Sequence, residues 1–109
     1  MSSNTYTKDS AVKFPQDLEK WPKGMLTKAI LNICNAVIEI DGGWEWLATE
    51  NPPENKGYMF WKHDFITKIG NDETVKNEGH SGASFGQSMR CAQYIAKNGF
   101  DKWTEQCKE

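Results

Sequence analysis

One segment of this chain constrains the fold more than any other, because its polar residues follow a helical period. Within residues 23–40 these polar residues recur at intervals of four, three and four: Lys28, Asn32, Asn35 and Glu39. On a helix with 3.6 residues per turn they form one narrow polar stripe, and the rest of the surface is mainly apolar. A helix that is apolar on so many sides has to be surrounded by other elements, so we predict a central buried helix over residues 23–40. A strand at 36–40 is the alternative that the β-branched residues there permit.

Glycine and proline divide the remainder of the chain into shorter segments. Gly42 and Gly43 end the central helix, and Pro52 and Pro53 end the next one. The apolar spacing predicts further helices at about 44–48, 61–69, 83–98 and 101–107, one helical turn within 16–21, and a polar loop at 70–79. An extended run at 58–61 is the alternative to a helix there. We therefore predict an all-α fold: after a polar N-terminal arm at 1–13, residues 14–109 form a compact single domain of about four to five helices around the central helix.

The composition is that of a globular domain, and it argues against two classes of partner. Hydrophobic residues make up 38% of the chain and charged residues 26%, which is ordinary for a folded protein. The net charge is −2, whereas domains that grip nucleic acid are usually basic, so we do not expect nucleic-acid binding. The longest apolar stretch, 25–40, is interrupted by polar residues and is too short to cross a bilayer. We therefore do not expect a membrane protein.

The three cysteines, Cys34, Cys91 and Cys107, are predicted to be free. Their number is odd and no two are close in the sequence, which makes a poor disulfide framework and a poor zinc site. Cys34 and Cys91 fall on apolar helix faces, where a free cysteine packs as a small hydrophobe. Free thiols, together with a polar N-terminus that does not resemble a secretory signal, indicate a cytoplasmic protein.

The segment 79–86 is the candidate ligand-binding region. It places three glycines and two serines where the helix at 83–98 is predicted to begin. The start of a helix presents N–H groups and partial positive charge, which suit anions, and glycines let a ligand approach the backbone. The pattern predicts an anion or nucleotide-phosphate site from these residues: His80, Ser81, Gly82, Ser84, Gln87 and Arg90. The alternative is a flexible loop in which Ser81 or Ser84 caps the helix.

The sequence contains no constellation typical of catalysis or of metal binding. The two histidines, His63 and His80, have no partner at metal-ligand spacing. Residues 82–86 match the letters of a nucleophile elbow around Ser84, but a polar loop precedes them where a hydrolase has a strand. We therefore predict no catalytic residue, no metal and no cofactor, and an enzyme is the least favoured class.

One side of the helix at 83–98 is the candidate surface for a protein partner. Its side chains follow at intervals of three, four and three residues: Gln87, Arg90, Tyr94 and Lys97. Tyrosine and arginine are enriched among the residues that dominate protein interfaces. Trp44 and Trp46 lie two residues apart, so they cannot share a helix face, and the less buried one is a further candidate anchor. We predict partner contacts through Trp46, Tyr94 and Lys97, and a solvated helix face is the alternative.

The C-terminal third of the chain resembles small accessory proteins of bacteriophages. The resemblance rests on residues 80–86, on Met89-Arg90 and on residues 92–99. It implies a protein that modulates or inhibits a host protein, including proteins of host defence, and that acts in the host cytoplasm. The expected partner is thus another protein. A second copy of this chain and a nucleotide-like anion, sequestered by the protein, are the alternatives.

Overall fold

Most of the polar stripe lies on an α-helix, α1, which spans Thr27–Ile38 in a computed structural model of the chain, and Glu39 follows as its C-cap. The structure describes residues 14–24, 26–50, 63–80 and 82–107. Helix α1 begins after a turn in which the Thr27 hydroxyl donates to the carbonyl oxygen of Pro22 at 2.8 Å. It ends before Gly42, whose φ of +72° reverses the chain in a conformation that glycine adopts without steric cost. The helix is therefore shorter at both ends than the predicted 23–40.

Five more α-helices and one short 3-10 helix make up the rest of the described fold. The 3-10 helix is Leu18–Lys20, and the α-helices that follow α1 are α2 Gly43–Thr49, α3 His63–Gly70, α4 Glu73–Asn77, α5 Gly82–Asn98 and α6 Phe100–Cys107. No strand occurs within the described ranges, and the radius of gyration of 12.8 Å is that of a compact domain of this length. The prediction of an all-α single domain is confirmed. The arm at 1–13 and the choice between helix and strand at 58–61 lie outside the described residues.

Helix α1 is the central element, as its pattern predicts. Eight of its twelve residues are buried, and it packs against the 3-10 helix and against α2, α3, α4 and α5. Ile33, Cys34 and Val37 have no exposed surface. No helix of the described part is both long enough and apolar enough to span a membrane.

The polar stripe connects α1 to segments that are distant in the sequence. The Lys28 ammonium lies 3.0 Å from a carboxylate oxygen of Glu78. The Asn35 side-chain oxygen accepts a hydrogen bond from the Gln16 amide at 2.9 Å. Both contacts are exposed, and a surface pair of this kind contributes about 0–1 kcal/mol. The stripe therefore positions the surface segments without being the source of the stability.

Helix α4 corrects the prediction of a polar loop at 70–79. Asp72 caps it, because its carboxylate oxygen accepts from the backbone N–H of Thr74 at 2.9 Å and of Val75 at 3.2 Å. The Val75 side chain is fully buried and anchors this five-residue helix against α1. One cap and one buried valine are thus enough to order a segment in which every other residue is polar or glycine.

Helix α5 runs through the fold between α1, α2 and α6. Its apolar side faces the core, with Phe85, Met89, Ala92 and Ile95 buried. The Gln93 side-chain amide donates to the backbone carbonyl oxygens of Leu47, at 3.0 Å, and of Glu50. Since the last carbonyls of a helix have no partner within the helix, Gln93 satisfies the end of α2 and ties it to α5.

An aromatic cluster holds the first described residues and the last helix together. Its rings approach with centroid distances of 4.8–6.3 Å: Phe14, Trp21, Trp44, Phe100 and Trp103. The Trp21 indole N–H donates to the carbonyl oxygen of Pro15 at 2.9 Å, so its polar group is satisfied although the ring is buried. This cluster closes the end of the fold at which α5 meets α6.

Candidate functional site

The α5 side chains that form the candidate partner surface lie on one face of the helix. We call this face the α5 face (Gln87, Arg90, Tyr94 and Lys97). Gln87 and Lys97 are exposed, and Arg90 and Tyr94 are half-buried. Their spacing of three, four and three residues keeps them in one row along the helix. Tyr94 also packs partly against the hydrophobic core. The α5 face therefore combines two exposed side chains with two larger side chains that are half-buried.

Both charged side chains of the α5 face are cations, on a chain that is negative overall. Arg90 and Lys97 are the charged residues of α5, and the helix contains no Asp or Glu, whereas the whole chain carries −2. Both cations also have interactions within the chain. A face of this composition attracts acidic surfaces, and the attraction weakens as salt is added.

His80 is positioned by α1 and not by the start of α5. Its ring nitrogen Nε2 lies 3.0 Å from the side-chain nitrogen of Asn32, the second residue of the polar stripe. An amide and a ring nitrogen at this distance form a hydrogen bond, in which the donor and acceptor roles depend on the tautomer of the ring. The backbone N–H of His80 also donates to the carbonyl oxygen of Val75. His80 is thus half-buried and links the α4–α5 turn to α1.

The remaining residues of the predicted anion site lie along one turn and the first half of α5. Gly79 and Gly82 have φ values of +74° and +66°, and no atom lies within 4 Å of where a Cβ would stand at either position. Ser84 is half-buried in the first turn of the helix. Ser81 lies outside the described residues, and Arg90 lies two turns further along α5. The structure therefore brings Gly82 and Ser84 together at the helix start and directs His80 toward Asn32.

The proposed tryptophan anchor is buried, which corrects the expectation that one of the two indoles offers a surface to a partner. Trp46 is only 9% exposed and Trp44 3%. The Trp46 ring stacks on Phe65 with a centroid distance of 4.6 Å and an interplanar angle of 9°, while Trp44 contacts Phe14 at 5.5 Å. Helix α2 is covered on both sides, so two residues on opposite faces are both removed from solvent.

A shallow groove beside the 3-10 helix was not found by sequence reasoning. Its volume is about 260 Å³, and its lining residues come from the segment before α1 and from the first turns of that helix: Leu18, Glu19, Pro22, Lys23, Gly24, Thr27 and Lys28. Leu18 is 38% exposed and is the large hydrophobic residue that the described part leaves at the surface. The signal available in the sequence was a leucine that stands between charged neighbours.

The three thiols are free, and their surroundings range from core to surface. Cys34 is buried, Cys91 is half-buried and Cys107 is exposed. Burial raises the pKa of Cys34 far above its ordinary value of 9.0. Burial also raises the pKa of Cys91; the nearby Cys107 thiol adds to this effect, and a hydrogen bond from the Trp103 side chain opposes it. The prediction that the three cysteines are free is confirmed.

Within the described ranges, no three His, Cys, Asp or Glu side chains come together in a way that could hold a metal ion. The chain matches none of the protein-family models, curated proteins or solved structures with which we compared it.

Proposed function

We propose that this protein is a small binding protein, rather than an enzyme, and that it contacts another protein through the α5 face. The observation that carries the proposal is the placement of Arg90 and Tyr94, half-exposed and one turn apart on the helix that runs through the fold. Arginine and tyrosine supply much of the binding energy in protein interfaces, since each combines a large contact area with hydrogen-bonding groups.

The helix that carries this face is held on three sides. Helix α5 packs against α1, α2 and α6, and Gln93 fixes it to the end of α2 through two backbone carbonyls. A face on such a support loses little conformational entropy when a partner docks, which favours affinity. This rigidity supports the α5 face over the exposed loops as the contact surface.

The charge of the face indicates the chemistry of the partner. Arg90 and Lys97 project from a helix without acidic residues, which favours an acidic protein surface as the counterpart. The resemblance of the C-terminal third to phage accessory proteins extends the proposal to a bacterial host protein, including one that acts in defence. The function would then be to modulate or inhibit that protein by occupying its surface.

The proposal is tested by reversing charge on and off the α5 face. Arg90→Glu and Lys97→Glu change the face, and Lys76→Glu makes the same change as Lys97→Glu in the last turn of α4, where Lys76 is also exposed. Each tagged variant is incubated with bacterial lysate, and captured proteins are quantified by mass spectrometry. Capture of the true partner by either α5 variant should fall about tenfold, which corresponds to about 1.4 kcal/mol of binding free energy.

The control separates binding from folding. Circular dichroism melting has to show that the three variants unfold near the same temperature as the unmodified protein. If all variants then capture the same proteins in the same amounts, the α5 face is not the contact surface. If Lys76→Glu alone loses a partner, the contact surface lies near α4.

A further inference from the structure

Asn98 and Gly99 form the one Asn-Gly pair of the sequence, and they stand at the corner between α5 and α6. Asn98 is the last residue of α5, and Gly99 is the single residue before α6 begins. Gly99 has a φ of +99°, a conformation that glycine adopts without steric cost. Because glycine has no Cβ, its backbone nitrogen is open to a close approach by the side chain before it.

The Asn98 side chain is exposed and lies back along the last turn of α5. Its amide nitrogen donates to the carbonyl oxygen of Tyr94 at 3.3 Å, which is longer than most N–H···O hydrogen bonds. Asn98 stands four residues after Tyr94, so it extends the row of the α5 face toward the C-terminal end of the helix. A chemical change at Asn98 therefore takes place beside the α5 face.

We propose that Asn98 is a site of spontaneous deamidation, and that the reaction proceeds only from molecules in which the end of α5 has opened. The Gly99 backbone nitrogen, after losing its proton, attacks the side-chain carbonyl carbon of Asn98. A cyclic succinimide closes, and the side-chain nitrogen takes up a proton and leaves as ammonia. Water then adds to either ring carbonyl and opens the ring to aspartate or isoaspartate. The net reaction consumes one water molecule and releases one ammonia.

The folded structure protects the attacking nitrogen. The Gly99 N–H donates to the carbonyl oxygen of Ile95 at 2.8 Å, and the Gly99 carbonyl oxygen accepts from the N–H of Trp103 at 3.2 Å. The two sides of Gly99 are thus tied to α5 and to α6. The attack needs the Gly99 proton removed and the Asn98 amide released from Tyr94, so both hydrogen bonds of the last turn have to break. Local openings of this kind cost less free energy than unfolding the core.

The product places a carboxylate where the amide stood. The C-terminal end of a helix already carries partial negative charge, and a carboxylate no longer donates to the Tyr94 carbonyl oxygen. Lys97, one of the two cations of the α5 face, is the preceding residue, so the new charge offsets it. Conversion of Asn98 therefore weakens the end of α5 and lowers the attraction of the α5 face for an acidic partner; this second consequence rests on the proposed function.

The experiment follows Asn98 in the full chain under three conditions. The protein is incubated at mildly alkaline pH without urea, at a urea concentration below the unfolding transition, and in concentrated urea. Trypsin cuts after Lys97 and Lys102 and releases residues 98–102 as one peptide, whose mass shows the fraction converted from amide to acid. An aliquot digested without incubation gives the background. Asn77, which precedes Glu78 in another peptide, is the internal control.

We expect Asn98 to convert in the folded protein at least about tenfold more slowly than in concentrated urea, a ratio that corresponds to an opening free energy of about 1.4 kcal/mol. Asn77 should stay intact over the same period. Low urea should leave the folded-state rate nearly unchanged, because a frayed helix end exposes little surface. Equal rates in folded and unfolded protein overturn the proposal. So does a folded protein in which Asn98 stays intact throughout, or a rate that rises with urea in parallel with the unfolded fraction.

Two variants test the consequence for the α5 face. In the lysate capture experiment, Asn98→Asp should lower capture of the partner about threefold, since it changes the charge by half as much as Arg90→Glu. Asn98→Gln keeps an amide and should capture as much as the unmodified protein. Equal capture by Asn98→Asp and Asn98→Gln overturns this consequence. The mass measurement of Asn98 needs no partner, so its result stands or fails independently of the proposed function.

Discussion

Replacing Ile33 by alanine tests the central position of α1 most severely. Ile33 has no exposed surface and stands in the middle of the helix that the other elements surround. The substitution removes three carbon atoms from the core, each worth about 0.8 kcal/mol of transfer free energy, and leaves a cavity that adds to the loss. The free energy of unfolding should fall by about 2–5 kcal/mol, and the melting temperature by about 10–25 °C for a domain of this size.

The matched control lies on the same helix and faces the solvent. Lys28→Ala removes only the exposed ion pair with Glu78, so its free energy of unfolding should change by less than about 1 kcal/mol. Urea unfolding, followed by circular dichroism and by tryptophan fluorescence, measures both variants. A loss below about 1 kcal/mol for Ile33→Ala, with an unchanged dependence on urea concentration, would refute the reasoning that α1 is the centre of the core.

Three further predictions follow from the contacts of α5, α2 and the buried thiol. Gln93→Leu should lower the free energy of unfolding by about 1–3 kcal/mol, because it removes the donor to two carbonyl groups at the end of α2. If denaturant titration shows the same free energy of unfolding for both proteins, water replaces the amide as the donor. Trp46→Ala should lower the free energy of unfolding by about 3–5 kcal/mol, because the ring is buried and stacked on Phe65. A melting temperature that falls by less than about 2–3 °C, which corresponds to less than about 1 kcal/mol, would mean that the indole is dispensable. Above pH 9 the unfolded state loses the Cys34 proton while the folded state, with its raised pKa, keeps it. The stability contributed by this thiol is therefore complete below pH 9, and above pH 9 it falls by about 1.4 kcal/mol per pH unit. Unfolding titrations from pH 8 to 11 measure how steeply the free energy of unfolding falls with pH. This slope should be smaller in Cys34→Ala than in the unmodified protein, and equal slopes in the two proteins would contradict the prediction.

The fold was largely predictable because its main signals are local. The intervals between Lys28, Asn32, Asn35 and Glu39 repeat with the helical period, so they identify α1 and its buried sides without any knowledge of its neighbours. Gly42 and Gly99, with φ values of +72° and +99°, mark the ends of α1 and α5 for a similar reason, since glycine adopts this conformation without steric cost. Helix α4 was missed because one apolar residue, Val75, produces no period.

The details of the candidate site depend on contacts between distant residues, which no local pattern contains. The pairing of His80 with Asn32 joins residues 48 positions apart, so the sequence alone made His80 look available to a ligand. The two tryptophans of α2 occupy opposite faces, as their spacing requires, and both faces turn out to be covered. The placement of Gln87, Arg90, Tyr94 and Lys97 on one face of α5, in contrast, follows from the helical period and was predicted.

A crosslinking measurement tests the central functional claim, that the α5 face contacts a protein partner. A benzophenone amino acid is placed at Gln87, an exposed member of the face, and in a control protein at Lys76 on α4, which is also exposed. Bacterial cells that produce each protein are irradiated, and the adducts are purified and identified by mass spectrometry. The account predicts a covalent adduct with one host protein from position 87, weakened by Arg90→Glu and not formed from position 76. Adducts from position 76 alone, or an identical set from both positions, would contradict it.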